Sequence, residues 1–505
     1  MGSNSEYTYN HHFMQKIRLS FGAAILLSCL VICLSRTNLR AQQKVTIQWE
    51  KQLRVSKTTP TLQVVVNPLL ERGSKIHDGT FSALKDLGAD VVRFVPWFPY
   101  PHMAVAELKP PTNSETYWDF SKIDPIVEDF MAATKGHTVI LNFSTIPAWM
   151  FESGDSVDYP EDPNQVFWSY NKGVRLRDTT LKELTGYFVR LFSWYTKGGF
   201  TDELGKFHRS NYHYKIPYWE VLNEPDLEHQ LTPQSYTRIY DAVVKALKKI
   251  SPDTKFVALG LAFETNPEWF EYFLNPANHR DGIQPEGISY HFYGTPHGAK
   301  RAPADYRFSF FDQANGFLDR VRYIENIRKR LAPNTFTTID EIGNILGDQT
   351  GTDIPAEYWN LSGAMYAYIY LELAKIGIDY AGESQLVGYP TQFPSVSMMD
   401  WTNGKPNSRY WVLRLLKENF GRGDRLVATG GNTAGVAVQA FITSRGKKLL
   451  LINPGNSAVT LEMPDGASRV STVNVSTGEN PPAVSEVQAG SVTMEPYAVS
   501  VVSFK

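Results

Sequence analysis

Between Thr61 and Leu386 the chain repeats one pattern eight times: a short apolar run, then a longer stretch with helical spacing. The runs predicted as strands are 61–67, 89–95, 138–144, 218–223, 256–262, 287–293, 336–341 and 380–386. Runs that are apolar throughout, rather than alternating, are how strands buried on both faces look. The clearest helix follows the fourth run. Thr232 caps it, Pro233 takes its first position, and Tyr236, Ile239, Tyr240, Val243, Val244, Leu247 and Ile250 form one apolar stripe. Ser251-Pro252-Asp253 then stops it. Eight strand–helix units predict a (β/α)8 barrel with enlarged loops. A doubly wound open sheet is the runner-up, but no GxGxxG turn follows the first run.

From about Arg425 the composition shifts to Val, Thr, Ser and Gly, with turn signals at Gly430-Gly431-Asn432, Asn453-Pro454-Gly455-Asn456 and Pro464-Asp465-Gly466. Alternating runs at 434–443, 448–452 and 498–504 make this an all-β module, predicted as a β-sandwich. A further strand-like stretch, 45–55, precedes the barrel; the sandwich is the place offered for it, and which strand it pairs with is open. The predicted division is a leader at 1–41, an N-terminal strand region at 42–60, a barrel at 61–424 and a sandwich at 425–505.

The leader has Lys16 and Arg18 ahead of an apolar run from Phe21 to Leu34, with small residues near Ala41. The run is short for a membrane span and matches a signal-peptide core. The expectation is a secreted or periplasmic protein with no stable membrane association after cleavage; a retained anchor is the alternative. Both cysteines, Cys29 and Cys33, fall inside the leader, which leaves the mature chain without a disulfide framework or thiolate metal site. Net charge is −2, from 50 basic and 52 acidic residues. That balance gives no sign of nucleic acid or an anionic membrane as partner.

The chemistry concentrates at strand ends, where barrels build their clefts. The fourth strand closes in YWEVLNEPD and delivers Asn223 and Glu224; the seventh closes in FTTIDEIG and delivers Glu341. Strands four and seven lie across an eight-strand ring from each other. Two facing carboxylates are the minimum apparatus for cleaving a glycosidic bond, one protonated and one ionised. Arg93, inside the apolar run VVRFV, must be paired where it is buried, with Glu220 or Glu341 as the offered partners. His291 and Tyr293 end the sixth strand, placing a tyrosine hydroxyl near the ionised carboxylate. Asp340 ranks second as nucleophile because it faces the other side of its strand. No His pair has metal-ligand spacing on a helix, so neither metal nor organic cofactor is expected.

These residues resemble the clan A retaining glycoside hydrolases and, within them, family 39, the β-xylosidases and α-L-iduronidases. The resemblance rests on Arg93, WEVLNEPD, the HFY triplet at His291, IDEIG, the aromatic PWFPYPH after Arg93, and WDFSKID at Trp118–Asp124. It implies Glu224 as acid/base, Glu341 as nucleophile, and a substrate site shared by Arg93, Trp97, Asn223, His291 and Tyr293. Clan members often carry a tryptophan ending the eighth strand. Here that strand reads YAGESQLVG, and Trp401 from the following loop is assigned as the sugar platform. Where iduronidases place a basic residue after the sixth-strand histidine, Phe292 and Tyr293 stand. An inward Glu383 would further repel an anionic sugar, while Lys172, Arg175, Arg177 and Arg409 are the loop cations that would favour one. The expectation is a retaining exo-glycosidase for a neutral glycoside or oligosaccharide, β-xylosidase-like. An iduronidase or other hexosidase, a transglycosidase and a non-catalytic carbohydrate-binding protein are the alternatives.

Overall fold

A computed structural model describes residues 43–152, 158–170, 173–296, 303–346, 354–389 and 393–505. The predicted leader, with Lys16, Arg18 and both cysteines, lies outside the described residues, as does Lys172. Among the described residues no helix is long and apolar enough to cross a membrane.

Eight strands close a barrel, in ring order Thr59–Val65, Val91–Val95, Thr138–Leu141, Tyr218–Glu220, Lys255–Leu261, Gly287–Gly294, Phe336–Asn344 and Tyr380–Glu383. Each neighbouring pair is parallel, including the eighth on the first. These are the eight predicted runs, and helices connect them around the outside. The helix Pro233–Ile250 carries the predicted cap, with Thr232 and Ser235 bonding each other's backbone N–H. Its buried Tyr236 donates its hydroxyl to the Val221 carbonyl at 2.9 Å and accepts from the Leu259 amide at 2.6 Å, fixing the helix to the fourth and fifth strands.

The fourth strand ends at Glu220, three residues earlier than its apolar pattern implies. Leu222 and Glu224 take left-handed backbone angles, φ 65° and 42°. The chain therefore leaves the ladder just before the NEP sequence. The fifth strand meets it with a bulge between Leu259 and Leu261. At that bulge Gly260 sits at φ +55°, and its carbonyl accepts the Glu224 amide at 2.7 Å. A strained acid residue is thus pinned by a neighbouring strand.

The C-terminal module is a curled, mostly antiparallel sheet of nine strands, a β-sandwich. Its order is Ala483–Glu486, Ala467–Val473, Val499–Phe504, Gly446–Ile452, Ala437–Thr443, Arg425–Asn432, Lys44–Val55, Val459–Glu462, Ser491–Met494. The partner that the sequence leaves open for the N-terminal strand is Arg425–Asn432, paired antiparallel from Lys44↔Asn432 to Val55↔Arg425. Val45 is fully buried beside Val427 and Leu461 in the sandwich core. From Lys44 onward the chain thus runs through the sandwich, makes the barrel, and returns. A two-stranded hairpin, Gly199–Thr201 with Phe207–Arg209, was not anticipated; its strands are too short to leave an alternating pattern.

Candidate active site

Glu224 and Glu341 face each other at the C-terminal mouth of the barrel, with His291 between them. His291 Nδ1 lies 2.8 Å from Glu224 Oε1 and 3.5 Å from Glu341 Oε2. One oxygen of each glutamate lies within 4.8 Å of the other. Glu341 accepts two further hydrogen bonds, from Arg93 Nη1 at 2.6 Å and from the Tyr293 hydroxyl at 2.6 Å.

Arg93 is the hub beneath them. Its Nε donates to Glu220 Oε2 at 2.5 Å, its Nη1 also to Gln63 Oε1 at 2.6 Å, and its Nη2 to Asn223 Oδ1 at 2.7 Å. Of the two partners the sequence offers, the guanidinium takes both. Glu220 is completed by Asn142 Nδ2 at 2.8 Å and by the Ser289 hydroxyl. Such a buried charge is tolerable because each group is paired and hydrogen-bonded. Asp340 lies 3.2 Å from Arg93 but makes no hydrogen bond. Burial and the Glu220 charge push its carboxyl well above the usual range, so a neutral Asp340 is a poor nucleophile.

The two glutamates are driven apart in acidity. Burial raises Glu224, and the nearby Glu341 charge adds to it, against the opposing pull of His291. Burial also disfavours charge on Glu341, but His291, Arg93 and the Tyr293 hydroxyl outweigh it and hold its carboxyl below the usual value. Burial opposes charge on His291 too, yet the neighbouring carboxylates lift it to about 9. Two neighbouring carboxyls shifted in opposite directions, with a cation between them, form an arrangement in which one can hold a proton while the other is ionised. Among the described residues, Glu224, His291 and Glu341 are also near enough to share a metal ion. The Arg93 guanidinium on Glu341 and the raised His291 already put positive charge beside these carboxylates, which disfavours a further cation there.

The surrounding cleft is a cavity of about 720 Å³ lined by Trp97, Asn223, His291, Tyr293 and both glutamates. Its size is that of a small-ligand site. Trp97 packs edge-on against Trp168, ring centroids 5.5 Å apart, and tilts against Phe393 at 6.2 Å. Trp168, Phe263 and Phe393 are exposed large apolar side chains at this mouth. Several lining residues escaped the sequence reading. Glu228 accepts from Trp97 Nε1 at 2.6 Å and from Asn223 Nδ2 at 3.0 Å, and burial together with the Glu224 charge raises its carboxyl well above the usual range. In the sequence it is an ordinary acid four residues after Glu224; in the fold its amide bonds the Glu224 carbonyl at 2.7 Å. Gln63 and Gln385 line the cleft from the first strand and just past the eighth, where Ser384–Gln385 is a cis peptide. Nothing in an isolated glutamine marks it for such a place.

Two assignments are corrected. Trp401 does not reach this cleft. After Gln385 the chain doubles back, with the Gln385 amide bonding Val396 O and the Met398 amide bonding Gln385 O. Phe393 and Val396 are thereby turned to the cleft, and Trp401 lies beside Trp359 in a separate pocket. Glu383 does not face the sugar site either. It is fully buried and paired with Arg409 at 2.9 Å, which removes both from the question of substrate charge. Arg175 and Arg177 pair with Glu152 and Glu183 away from the cleft. Among the described residues, a cation on the cleft wall is Arg320, from the helix Pro303–Leu331, bound to Glu264.

No family profile matches the sequence, and no curated relative was found. Solved structures do match. A family 51 arabinofuranosidase from Xanthomonas axonopodis pv. citri superposes with a TM-score of 0.63 at 13% identity, over 92% of this chain and 100% of that one. A family 39 β-xylosidase from Caulobacter crescentus gives 0.58 at 13%, over 92% and 100%. A family 30 endoxylanase from Clostridium papyrosolvens gives 0.55 at 16%, over 91% and 99%. The likeness is one of fold over nearly the whole length: the barrel and sandwich of this chain are built as in those glycoside hydrolases.

Proposed function

We propose that this protein is a retaining glycoside hydrolase acting on a neutral glycoside, with a β-D-xyloside as first candidate. The observation that carries the reading is the pair Glu224 and Glu341, with one oxygen of each within 4.8 Å of the other and their acidities shifted in opposite directions. That spacing suits direct attack on the anomeric carbon; inverting pairs stand about 6.5–9.5 Å apart to admit a water. Glu341, aimed by Tyr293 and Arg93, attacks the sugar while Glu224 gives its proton to the departing oxygen. Glu224, now ionised, then takes a proton from the water that releases the glycosyl group. A sugar acceptor in place of water would make the same apparatus a transglycosidase. Secretion through the N-terminal leader and exo-action belong to the same proposal.

The neutral sugar is favoured because the inner cations, Arg93 and His291, are already matched by carboxylates. The second reading, a uronide such as an α-L-iduronide, draws on Arg320, whose guanidinium reaches the cleft wall but is shared with Glu264. Catalytic efficiency on aryl β-xyloside against aryl α-L-iduronide separates the two, and a preference for the iduronide would overturn the substrate assignment.

The mechanism is tested by two substitutions. Glu341→Ala removes the nucleophile and is expected to abolish turnover on every substrate. Glu224→Ala is expected to lose about 10²–10⁴-fold on glycosides with poor leaving groups, less on activated aryl glycosides. Azide is expected to rescue only the Glu224 variant, giving a glycosyl azide of retained configuration. Equal losses in both, without rescue, contradict the assignment.

A further inference from the structure

A second pocket, of about 420 Å³, opens between the barrel and the sandwich. Trp359 comes from the helix Ala356–Ile376, Trp401 from the loop after the eighth strand, and Val475 and Glu479 from the sandwich. The two indoles stand edge to face, ring centroids 6.4 Å apart at 68°, and both are half-buried. Core tryptophans in this molecule, such as Trp219, are fully buried among other rings. Asn360 lines the same pocket at 2% exposure, and its Nδ2 has no hydrogen-bond partner. Asp400 and Glu479 add acceptors, with the Lys405 ammonium 3.8 Å from Glu479.

We infer that this pocket is a second carbohydrate-binding site, for a neutral saccharide, separate from the cleft at Glu224 and Glu341. The C–H face of a pyranose is apolar and covers an indole, while its hydroxyls both donate and accept. Asp400 and Glu479 take hydroxyl protons. Two acids against one lysine disfavour an anionic sugar. The loop 393–407 lines both sites, with Phe393 and Val396 in the cleft and Trp401 in the pocket. A polymer held at the pocket is therefore kept near the reactive pair, which raises its effective concentration there without new chemistry.

The test is affinity electrophoresis of the Glu341→Gln protein through gels containing soluble neutral xylan, arabinan, galactan or mixed-linkage glucan. Retardation by at least one polymer is expected. Adding Trp401→Ala is expected to weaken it about tenfold or more, since one stacked sugar face is lost. Val475→Trp, at an exposed sandwich position, blocks the pocket without touching the barrel and is expected to do the same. Retardation that disappears with Trp97→Ala and survives both pocket variants would assign the binding to the cleft and overturn the inference, as would no retardation in any gel. In the otherwise wild-type enzyme, Trp401→Ala is expected to leave turnover of a small aryl glycoside unchanged. A protein that binds polymer through Trp401 but cleaves no glycoside would sink the proposed activity and leave this site standing.

Discussion

His291 controls both carboxyls at once, and this gives a prediction with a definite sign. Under the proposed mechanism, activity is expected to rise with pH as Glu341 ionises and to fall as Glu224 loses its proton. The imidazolium makes both carboxyls more acidic, since a nearby positive charge favours each ionised form. His291→Asn removes that charge while keeping a polar side chain. Both limbs of the pH profile of kcat/KM are then expected to move to higher pH, by about 1–3 units. A profile reduced in height but unmoved would mean that the histidine only packs. At this scale the sequence was informative where a residue's type conflicted with its surroundings. Arg93 inside VVRFV and Glu224 beside Pro225 stood out because a buried charge needs a reason. Glu228, Gln63 and Gln385 did not, because acids and amides near loops are commonplace until the loops are placed. Trp401 carried a real signal that pointed to the wrong pocket: the doubling back at Gln385 rests on backbone hydrogen bonds, and those leave no trace in side-chain type.

The strands and helices were legible because barrel strands are buried on both faces and their connecting helices on one. Their ends were less so. The fourth strand stops at Glu220 since Leu222 and Glu224 turn left-handed, a conformation that no apolar pattern announces. The pairing of the N-terminal strand was illegible for another reason. Lys44–Val55 finds its neighbour 370 or more residues later, and alternation fixes a strand's faces, not its partner. That strand is nonetheless central. It sits between Arg425–Asn432 and Val459–Glu462 in the sandwich order, with Val45 fully buried. Val45→Asp places a carboxyl in an apolar core with no cation to meet it. The expected loss is at least about 3 kcal/mol in equilibrium denaturation. A loss below about 0.5 kcal/mol, the range of ordinary surface changes, would show the strand to be an ornament on a sandwich that closes without it.

Across the whole molecule, barrel and sandwich share one apolar interior. Phe441, Leu450, Ile452, Val499 and Val501 belong to sandwich strands, yet they pack into the same continuous core as the barrel. The last helix, Ser408–Asn419, carries the join: Trp411 Nε1 donates to the Glu479 carbonyl at 2.7 Å, and Phe420 just beyond it meets Phe441 at 4.6 Å between ring centroids. The two crossings of the chain between modules are tied together, Ser56 N to Asp424 O at 2.7 Å and Gly423 N to Ser56 O at 2.9 Å. Modules joined by a polar, hydrated surface move and melt separately; an apolar seam of this kind removes that freedom. The intact chain is therefore expected to unfold in one calorimetric transition, with glycosidase activity lost over the same temperatures. A chain ending at Asp424 loses the cover over Phe420 and the outer face of the last helix. The apolar patch so exposed is expected to send it to the insoluble fraction. Val45→Asp adds a sharper arm: although Val45 lies in the sandwich, the variant is expected to lower the melting of the barrel and the heat-inactivation temperature together. Two resolved transitions, or a soluble truncated barrel that still turns over an aryl glycoside, would show that the halves fold alone and that the shared core is contact without coupling.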